Sequence, residues 1–414
     1  MFVSVFSQDT GAPFPDLGPS SHADLPPIHI SPEGVCKLLS KILPLKDAGS
    51  DEIHARVLRE LHSPLAPVLS DLFQQSVDTG EVLEDWKEAN VAPVFKIGDR
   101  NWASNYRPIS LTSIVCKLLE HIVASHTMNH LEQRNALYTL QHGFRKRRSC
   151  ETQLLSLYQD LTQARDNKIQ TDIVVMDFAK AFDKVSHRHL AAKLDYYGIR
   201  GPTLRWITNF LADRSQRVVV EGKSSDSAPV TSGVPQGTVL GPILFLLYID
   251  DLPKRAQYCT IRLFADDCII QKTIETEDDC HKLQQDITNI GKWERDWLME
   301  FHPDKCQVLT IPANSRPILK PYHLHDICLQ RPPDNTIKYL GVTIQSDLKW
   351  NHHIRSITAK ASRTLGVIRR NVRVPDPQIR DRTYKSLVRL QVEYASILWD
   401  PRKTKDNHPP GCPS

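Results

Sequence analysis

At 414 residues, with 40% hydrophobic and 24% charged side chains, the chain can bury a large core over two or three subdomains and has the composition of an ordinary globular protein. Its formal charge is only +4, from 52 basic and 48 acidic residues, so any affinity for polyanions must come from where charge is placed. Nine scattered cysteines without Cys-x-x-Cys spacing match neither a disulfide framework nor a zinc site and fit free thiols in a reducing compartment.

In chain order, residues 1–32 are rich in Pro, Ser and Gly and read as a flexible N-terminal segment. Residues 33–85 read as a helical N-terminal extension. Ile53, Val57, Leu58 and Leu61 share one face, and Leu65, Val68, Leu69, Leu72 and Phe73 another. A strand is expected from Trp86 to Ile97, a turn at Gly98-Asp99, and helices over Ser110–Leu131 and Ser149–Ala164, the latter amphipathic on Leu154, Leu155, Tyr158 and Leu161. The apolar strand Val174-Val175-Met176 ends in Asp177. Helices follow near Leu190–Tyr197 and Pro202–Leu211, then a β-branched strand at Val218-Val219-Val220. The loop Gly233-Val234-Pro235-Gln236-Gly237 leads into an apolar helix ending at Ile249. That helix holds the longest apolar run, Ile243–Ile249, which is too short to span a bilayer, and no signal peptide is evident. A hairpin is expected around Asp266, then a helix burying Leu283, Ile287, Ile290 and Trp297, strands at Gln307–Ile311 and Tyr339–Ile344, and basic helices over 352–370 and 377–395. The alternation suits an α+β fold with an antiparallel sheet packed on helices.

Three Asp-Asp pairs occur, and context separates them. Asp278-Asp279 opens a helix, where acids meet the positive end of the dipole. Asp250-Asp251 ends a helix before Leu252-Pro253 and is expected to face water or cap the next turn. Only Asp266-Asp267 lies between two short strand-like runs, at the tip of a hairpin. With Asp177, eighty-nine residues earlier at another strand end, it forms a candidate site for a pair of Mg²⁺ ions. Such a pair clamps the attacking and leaving oxygens of phosphoryl transfer. Two basic patches accompany it: Arg145-Lys146-Arg147-Arg148, and residues 351–390 with ten Lys or Arg against two acids. Phosphate backbones are bound mainly by such residues.

The blocks Asn105-Tyr106-Arg107-Pro108-Ile109-Ser110-Leu111, Gln141-His142-Gly143-Phe144-Arg145 and Asp177-Phe178-Ala179-Lys180-Ala181-Phe182-Asp183 occur in that order. Gly233-Val234-Pro235-Gln236-Gly237, Phe264-Ala265-Asp266-Asp267, Asp304-Lys305-Cys306 and Lys338-Tyr339-Leu340-Gly341 follow. In these seven blocks the chain resembles the reverse transcriptase domain of non-LTR (LINE-type) retrotransposons, near the jockey and CR1 groups, and the resemblance runs from about residue 30 to 400. The resemblance implies a right-hand polymerase: fingers over 86–171, a palm over 172–345 interleaved with them, a partial helical thumb over 346–400 and a disordered tail over 401–414.

The resemblance also implies roles. Asp177 and Asp266 would ligate two Mg²⁺ ions, with Mn²⁺ a possible substitute, Asp267 the supporting carboxylate and the Phe178 carbonyl completing the shell. Phe182 would lie under the sugar of the incoming nucleotide and exclude a 2′-OH; it reads equally as a core aromatic. Gln236 and Gly237 would lie against template and nucleotide, where glycine permits close approach. Lys96 and Arg107 would grip the triphosphate and Lys305 would protonate the leaving pyrophosphate. Tyr339, Leu340 and Gly341 would position the primer end, or simply form a core strand with a glycine turn. Arg145, Arg147, Arg363 and Arg370 would contact nucleic acid. Ala179 stands where the family usually has Ser or Thr, Thr238 where it usually has Ser, and Asp250 where Asn is common. The expected partners are an RNA template, a DNA primer and dNTPs, in the nucleus or cytoplasm, with no membrane. An endonuclease domain is expected upstream in a full-length member, so the chain reads as a truncated piece. The rival functions are an inactive remnant that only binds RNA–DNA hybrid, and an RNA-templated RNA polymerase, which Phe182 disfavours.

Overall fold

The computed structural model describes residues 2–7, 11, 15–371 and 376–399. The expected tail, 401–414, and Arg373 of the basic segment lie outside the described residues. Three helices come first, α1 (Pro32–Ser40), α2 (Ala55–Glu60) and α3 (His62–Thr79), then strands β1 (Glu88–Phe95) and β2 (Tyr106–Leu111). Helices α4 (Ile114–Gln133) and α5 (Cys150–Asp166) lead to β3 (Gln170–Met176), α6 (His187–Tyr196) and α7 (Gly201–Leu211). Strands β4 (Arg214–Val220), β5 (Lys223–Ser224) and β6 (Ala228–Val230) precede α8 (Gly241–Ile249). The hairpin β7 (Thr260–Phe264) and β8 (Asp267–Ile274) is followed by α9 (Glu277–Asp296) and β9 (Gln307–Ile311). Two small hairpins, β10 (His323–Leu324) with β11 (Ile327–Cys328) and β12 (Thr336–Tyr339) with β13 (Val342–Gln345), precede α10 (Asn351–Asn371), α11 (Pro377–Tyr384) and α12 (Leu390–Glu393).

Contacts divide the chain into two compact units. The first comprises Met1–Thr139, Phe178–Pro253 and Lys292–Glu300. Its sheet runs β2-β1-β4-β5, with β6 also on β4. Pro93 of β1 stands opposite Pro108 of β2, so that pair exchanges no N–H···O bonds. The arrangement is tolerated because β2 is an edge and β1 pairs with β4 only over Glu88–Val91, short of Pro93. Pro108 is also why Tyr106–Leu111 does not read as a strand: the sequence suggested a helix from Ser110, but α4 starts at Ile114, capped by the Ser113 hydroxyl, which accepts from the Cys116 N–H. The buried apolar positions of α2 and α3 are Ala55, Leu58, Ala66, Leu69, Phe73 and Val77, whereas Val57 and Val68 of these helices and the flanking Ile53 and Leu61 are exposed. The expected faces there were therefore only half right.

The second unit comprises Leu140–Asp177, Lys254–Gly291 and Phe301–Ser414. Its four-stranded antiparallel sheet has the order β7-β8-β3-β9, with β3 flanked on both sides. Helix α5 begins with a capping box between Ser149 and Thr152. It buries Leu154, Leu157 and Leu161 in one cluster with Ile173, Ile269 and Leu309 of the sheet. Each buried leucine contributes roughly 1.5–3 kcal/mol. Leu155, expected on that face, is exposed. The single strand expected over Tyr339–Ile344 is a hairpin instead, because Leu340 and Gly341 both adopt positive φ, the sign pattern of a type I′ turn. The expected last helix is likewise broken, α11 passing through a π-helical stretch, Lys385–Arg389, into α12. No helix among the described residues is long and apolar enough to cross a membrane.

Candidate active site

The site builds from strand register within the second unit. β3 and β8 pair until Met176 stands opposite Cys268. One step further along each strand come Asp177 and Asp267. β8 joins β7 through the two-residue turn Ala265–Asp266, closed by the pairing of Phe264 with Asp267. All three acids therefore emerge at one end of two neighbouring strands. Asp266 is half-buried and Asp267 exposed, and the Asp177 side chain is 38% exposed.

The end of β3 is tied down by His302, whose N–H donates to the Asp177 carbonyl at 2.8 Å. The short turn Pro303–Lys305 follows and brings Lys305 Nζ to 3.3 Å from Asp177 Oδ2. Both side chains are substantially solvated, so the pair contributes at most about 1 kcal/mol and is readily exchanged for another cation. Carboxylate oxygens are the hard donors that Mg²⁺ takes. Among the described residues no three or more His, Cys, Asp or Glu side chains are gathered as a metal-holding group. Mg²⁺ commonly takes only one or two carboxylates and fills its shell with water and substrate phosphates, so the donors fit in kind.

The remaining candidates of this unit are dispersed. Arg145 is half-buried and donates to the Gln141 carbonyl at 3.4 Å, while Arg147 is exposed. Beside Arg145, His142 is pushed down to about 4 by burial and by Arg148, Arg262 and Arg145. Tyr339 is buried, its hydroxyl accepting from Gln153 Nε2 at 3.2 Å. The Leu340–Gly341 turn is overlaid by Tyr394, whose hydroxyl donates to the Leu340 carbonyl at 2.8 Å. Arg363 and Arg370 are exposed on α10.

Phe178, Phe182, Gln236, Gly237, Lys96 and Arg107 belong to the first unit. Phe178 is buried, edge-on to Trp293. Phe182 is half-buried and stacked on Phe245, with centroids 4.5 Å apart. The 233–237 loop is stitched to the segment after Phe178: the Gly233 N–H donates to Val185 O and the Val234 N–H to Phe182 O, each at 2.8 Å. Gln236 Nε2 donates to Asp183 Oδ1 at 3.1 Å, and burial raises the Asp183 pKa against that bond and Lys180. Gly237, at φ +106, lies so close to β2 that a Cβ would come 2.7 Å from Ser110 O. Lys96 and Arg107 are exposed near the β1–β2 connection.

Several buried acids were misjudged or left unassigned by sequence, among them Asp250, Asp251 and Glu120. Asp250 and Asp251 do not face water. Both are buried: Asp250 accepts from the Tyr138 N–H (2.7 Å) and Tyr197 Oη (2.6 Å), and Asp251 from Lys193 Nζ (2.5 Å) and Trp293 Nε1 (3.0 Å). Lys193 is itself buried 3.5 Å from the Trp297 ring centroid, so charge and aromatic faces compensate one another. Glu120 is fully buried, and its Oε2 accepts from Val239 N–H (2.7 Å) and Leu240 N–H (3.1 Å) at the entry to α8. Its signal was a lone acid among Cys116, Val123 and Thr127 on the apolar side of α4.

Comparison with known proteins then bears on this arrangement. Residues 96–344 match the family described as reverse transcriptase (RNA-dependent DNA polymerase). The chain is 28% identical over 347 residues to the probable RNA-directed DNA polymerase from transposon BS of Drosophila melanogaster, covering 80% of this chain and 37% of that protein. It is 28% identical over 344 residues to the RNA-directed DNA polymerase from mobile element jockey of the same species, with the same coverage. To the probable RNA-directed DNA polymerase from transposon X-element it is 26% identical, covering 83% of this chain and 38% of the other. The chain thus spans little more than a third of the length of these relatives.

Proposed function

This chain belongs to the reverse transcriptase (RNA-dependent DNA polymerase) family, with non-LTR retrotransposon relatives, and from that premise we propose that it is an RNA-directed DNA polymerase. It adds dNTPs to a DNA primer 3′-OH on an RNA template. The observation that carries this reading is the exit of Asp177 and of the Asp266–Asp267 tip from adjacent strands of one sheet.

Domains of this family generally use divalent metal ions. Asp177 and Asp266 would hold them, with Asp267 as support and the Phe178 carbonyl as a further oxygen. Two bound Mg²⁺ ions, or Mn²⁺ in their place, would favour the ionised primer hydroxyl and neutralise charge on pyrophosphate. The chain's own groups do the rest. Lys305 Nζ donates a proton to the departing pyrophosphate. Lys96 and Arg107 hold the triphosphate by charge. The Phe182 ring excludes a 2′-OH, and Gln236 with Gly237 lines the template and nucleotide. Tyr339, Leu340 and Gly341 support the primer end, and Arg145, Arg147, Arg363 and Arg370 contact phosphates. In this reading residues 33–85 are an N-terminal extension, 86–171 fingers, 172–345 palm and 346–400 a partial thumb.

The test is primer extension on an oligo(dT)-primed RNA with dNTPs and Mg²⁺, beside hybrid binding. Wild type should extend, and Asp266→Asn should lose extension while still binding hybrid. Retained extension in Asp266→Asn would overturn the site. Hybrid binding without extension by the wild type would favour the inactive-remnant alternative.

A further inference from the structure

The tip that carries Asp266 is held by a side chain with no role so far. Ala265 has φ +52, which an L-residue adopts at a cost on the order of 1–3 kcal/mol. It is the first of two turn residues, the position where glycine is usual in a type II′ turn. A strained turn persists only where its surroundings fix it. Here the segment Leu140–Gly143 lies along β7: the Leu263 N–H donates to Leu140 O at 3.0 Å, and the His142 N–H to Leu263 O at 2.9 Å. Between these bonds sits Gln141, 1% exposed. Its Oε1 accepts two backbone N–H groups, from Gly143 at 2.8 Å and from Ala265 at 3.0 Å. Two donors converging on one atom settle that the amide presents its oxygen there. Gly143 completes the contact, because a Cβ at that position would run into the Ala265 amide nitrogen and lie 3.0 Å from the Phe264 carbonyl carbon.

We propose that Gln141 is a positioning residue for the reaction: its side-chain oxygen, with the close approach of Gly143, locks Ala265 in its left-handed conformation and so fixes where the Asp266 carboxylate stands. This rests on Asp266 being a metal ligand. Gln141 touches neither substrate nor metal; it acts through one backbone amide. Without the clamp the turn relaxes, and a carboxylate displaced by a fraction of an ångström binds the ion less well.

The experiment compares Gln141→Met, which keeps length but replaces the amide oxygen with a weakly accepting thioether, with Gly143→Ala, which pushes on the turn from the same side. Each is read in steady-state primer extension across Mg²⁺ concentration. We expect kcat to fall roughly 10- to 100-fold and the half-saturating Mg²⁺ concentration to rise, while KM for dNTP changes much less. Adding Ala265→Gly to Gln141→Met should restore part of the loss, since glycine takes positive φ without the clamp. Thermal unfolding of each variant separates this from general destabilisation. Unchanged kcat and Mg²⁺ midpoint, absence of rescue by Ala265→Gly, or failure of both single variants to fold would each overturn the proposal. Asp266→Asn run alongside distinguishes the two readings. If it keeps full activity, the metal site is misassigned; if it is dead while Gln141→Met is normal, only the clamp fails.

Discussion

Phe182 has two possible duties, and its surroundings weigh them. It is half-buried and stacked on Phe245, an aromatic pair worth about 0.5–1.5 kcal/mol beyond the area buried. The residue is therefore partly core and partly solvent-accessible, and in the proposed role it is the accessible part that would meet a ribose hydroxyl. Phe182→Val should raise kcat/KM for ribonucleotides relative to deoxynucleotides and lower the melting temperature slightly. If sugar discrimination is unchanged while stability falls, the residue serves packing alone. The same lesson applies to Asp250 and Asp251. Adjacent acids before Leu252-Pro253 look solvated, yet partners from Tyr138, Lys193, Tyr197 and Trp293 make them interior groups.

Helix α8 shows how an element is fixed from outside itself. It is apolar all round, as expected of a fully buried helix, and its register is set at the N-terminal end. There Glu120 accepts the Val239 and Leu240 N–H groups, and the Thr238 hydroxyl donates to Pro235 O while accepting the Gly241 N–H. Thr238, a departure from the family's serine, keeps the hydroxyl this cap needs. Burial raises the Glu120 pKa against those two backbone bonds. Glu120→Ala leaves both donors unsatisfied and should cost about 1–3 kcal/mol for each. Glu120→Gln keeps an oxygen in place and removes a desolvated charge, so it should lie within about 1 kcal/mol of wild type. Urea unfolding measures both. A glutamine variant as unstable as the alanine variant would contradict this account of the cap.

At the scale of the whole molecule, stability against pH collects opposing terms. His353 is buried and pushed down to about 4, first by burial and then by Lys338. Its Nδ1 accepts the Thr343 N–H at 3.3 Å, which only the neutral ring can do. His142 is lowered to a similar value. A histidine held neutral when folded loses stability as pH falls below its unfolded value, because the unfolded chain takes up the proton first. Asp172 and Asp183, whose pKa values burial raises, act oppositely, since protonation relieves a buried charge. Between pH 6.5 and about 4 the two histidines should steepen the acid loss. His353→Asn, which keeps an acceptor for Thr343, should flatten melting temperature against pH over that window. An unchanged slope would mean that His353 is already protonated when folded.

By itself the sequence determined what repeats over short distances or stands at fixed spacing. Apolar runs marked β3, β7, β8 and β9, the acids stood at their ends, and the ordered blocks from Asn105 to Gly341 carried the family. Only the tertiary structure decided which side chains meet. Gln141 reaches Ala265 across 124 residues, and Glu120 reaches Val239 across 119. It also bent Tyr339–Ile344 at Leu340 and carried Pro108 into an edge strand, against their local preferences. The reason is physical: periodicity and turn chemistry act between near neighbours, whereas desolvation and hydrogen-bond satisfaction are settled only when distant segments pack.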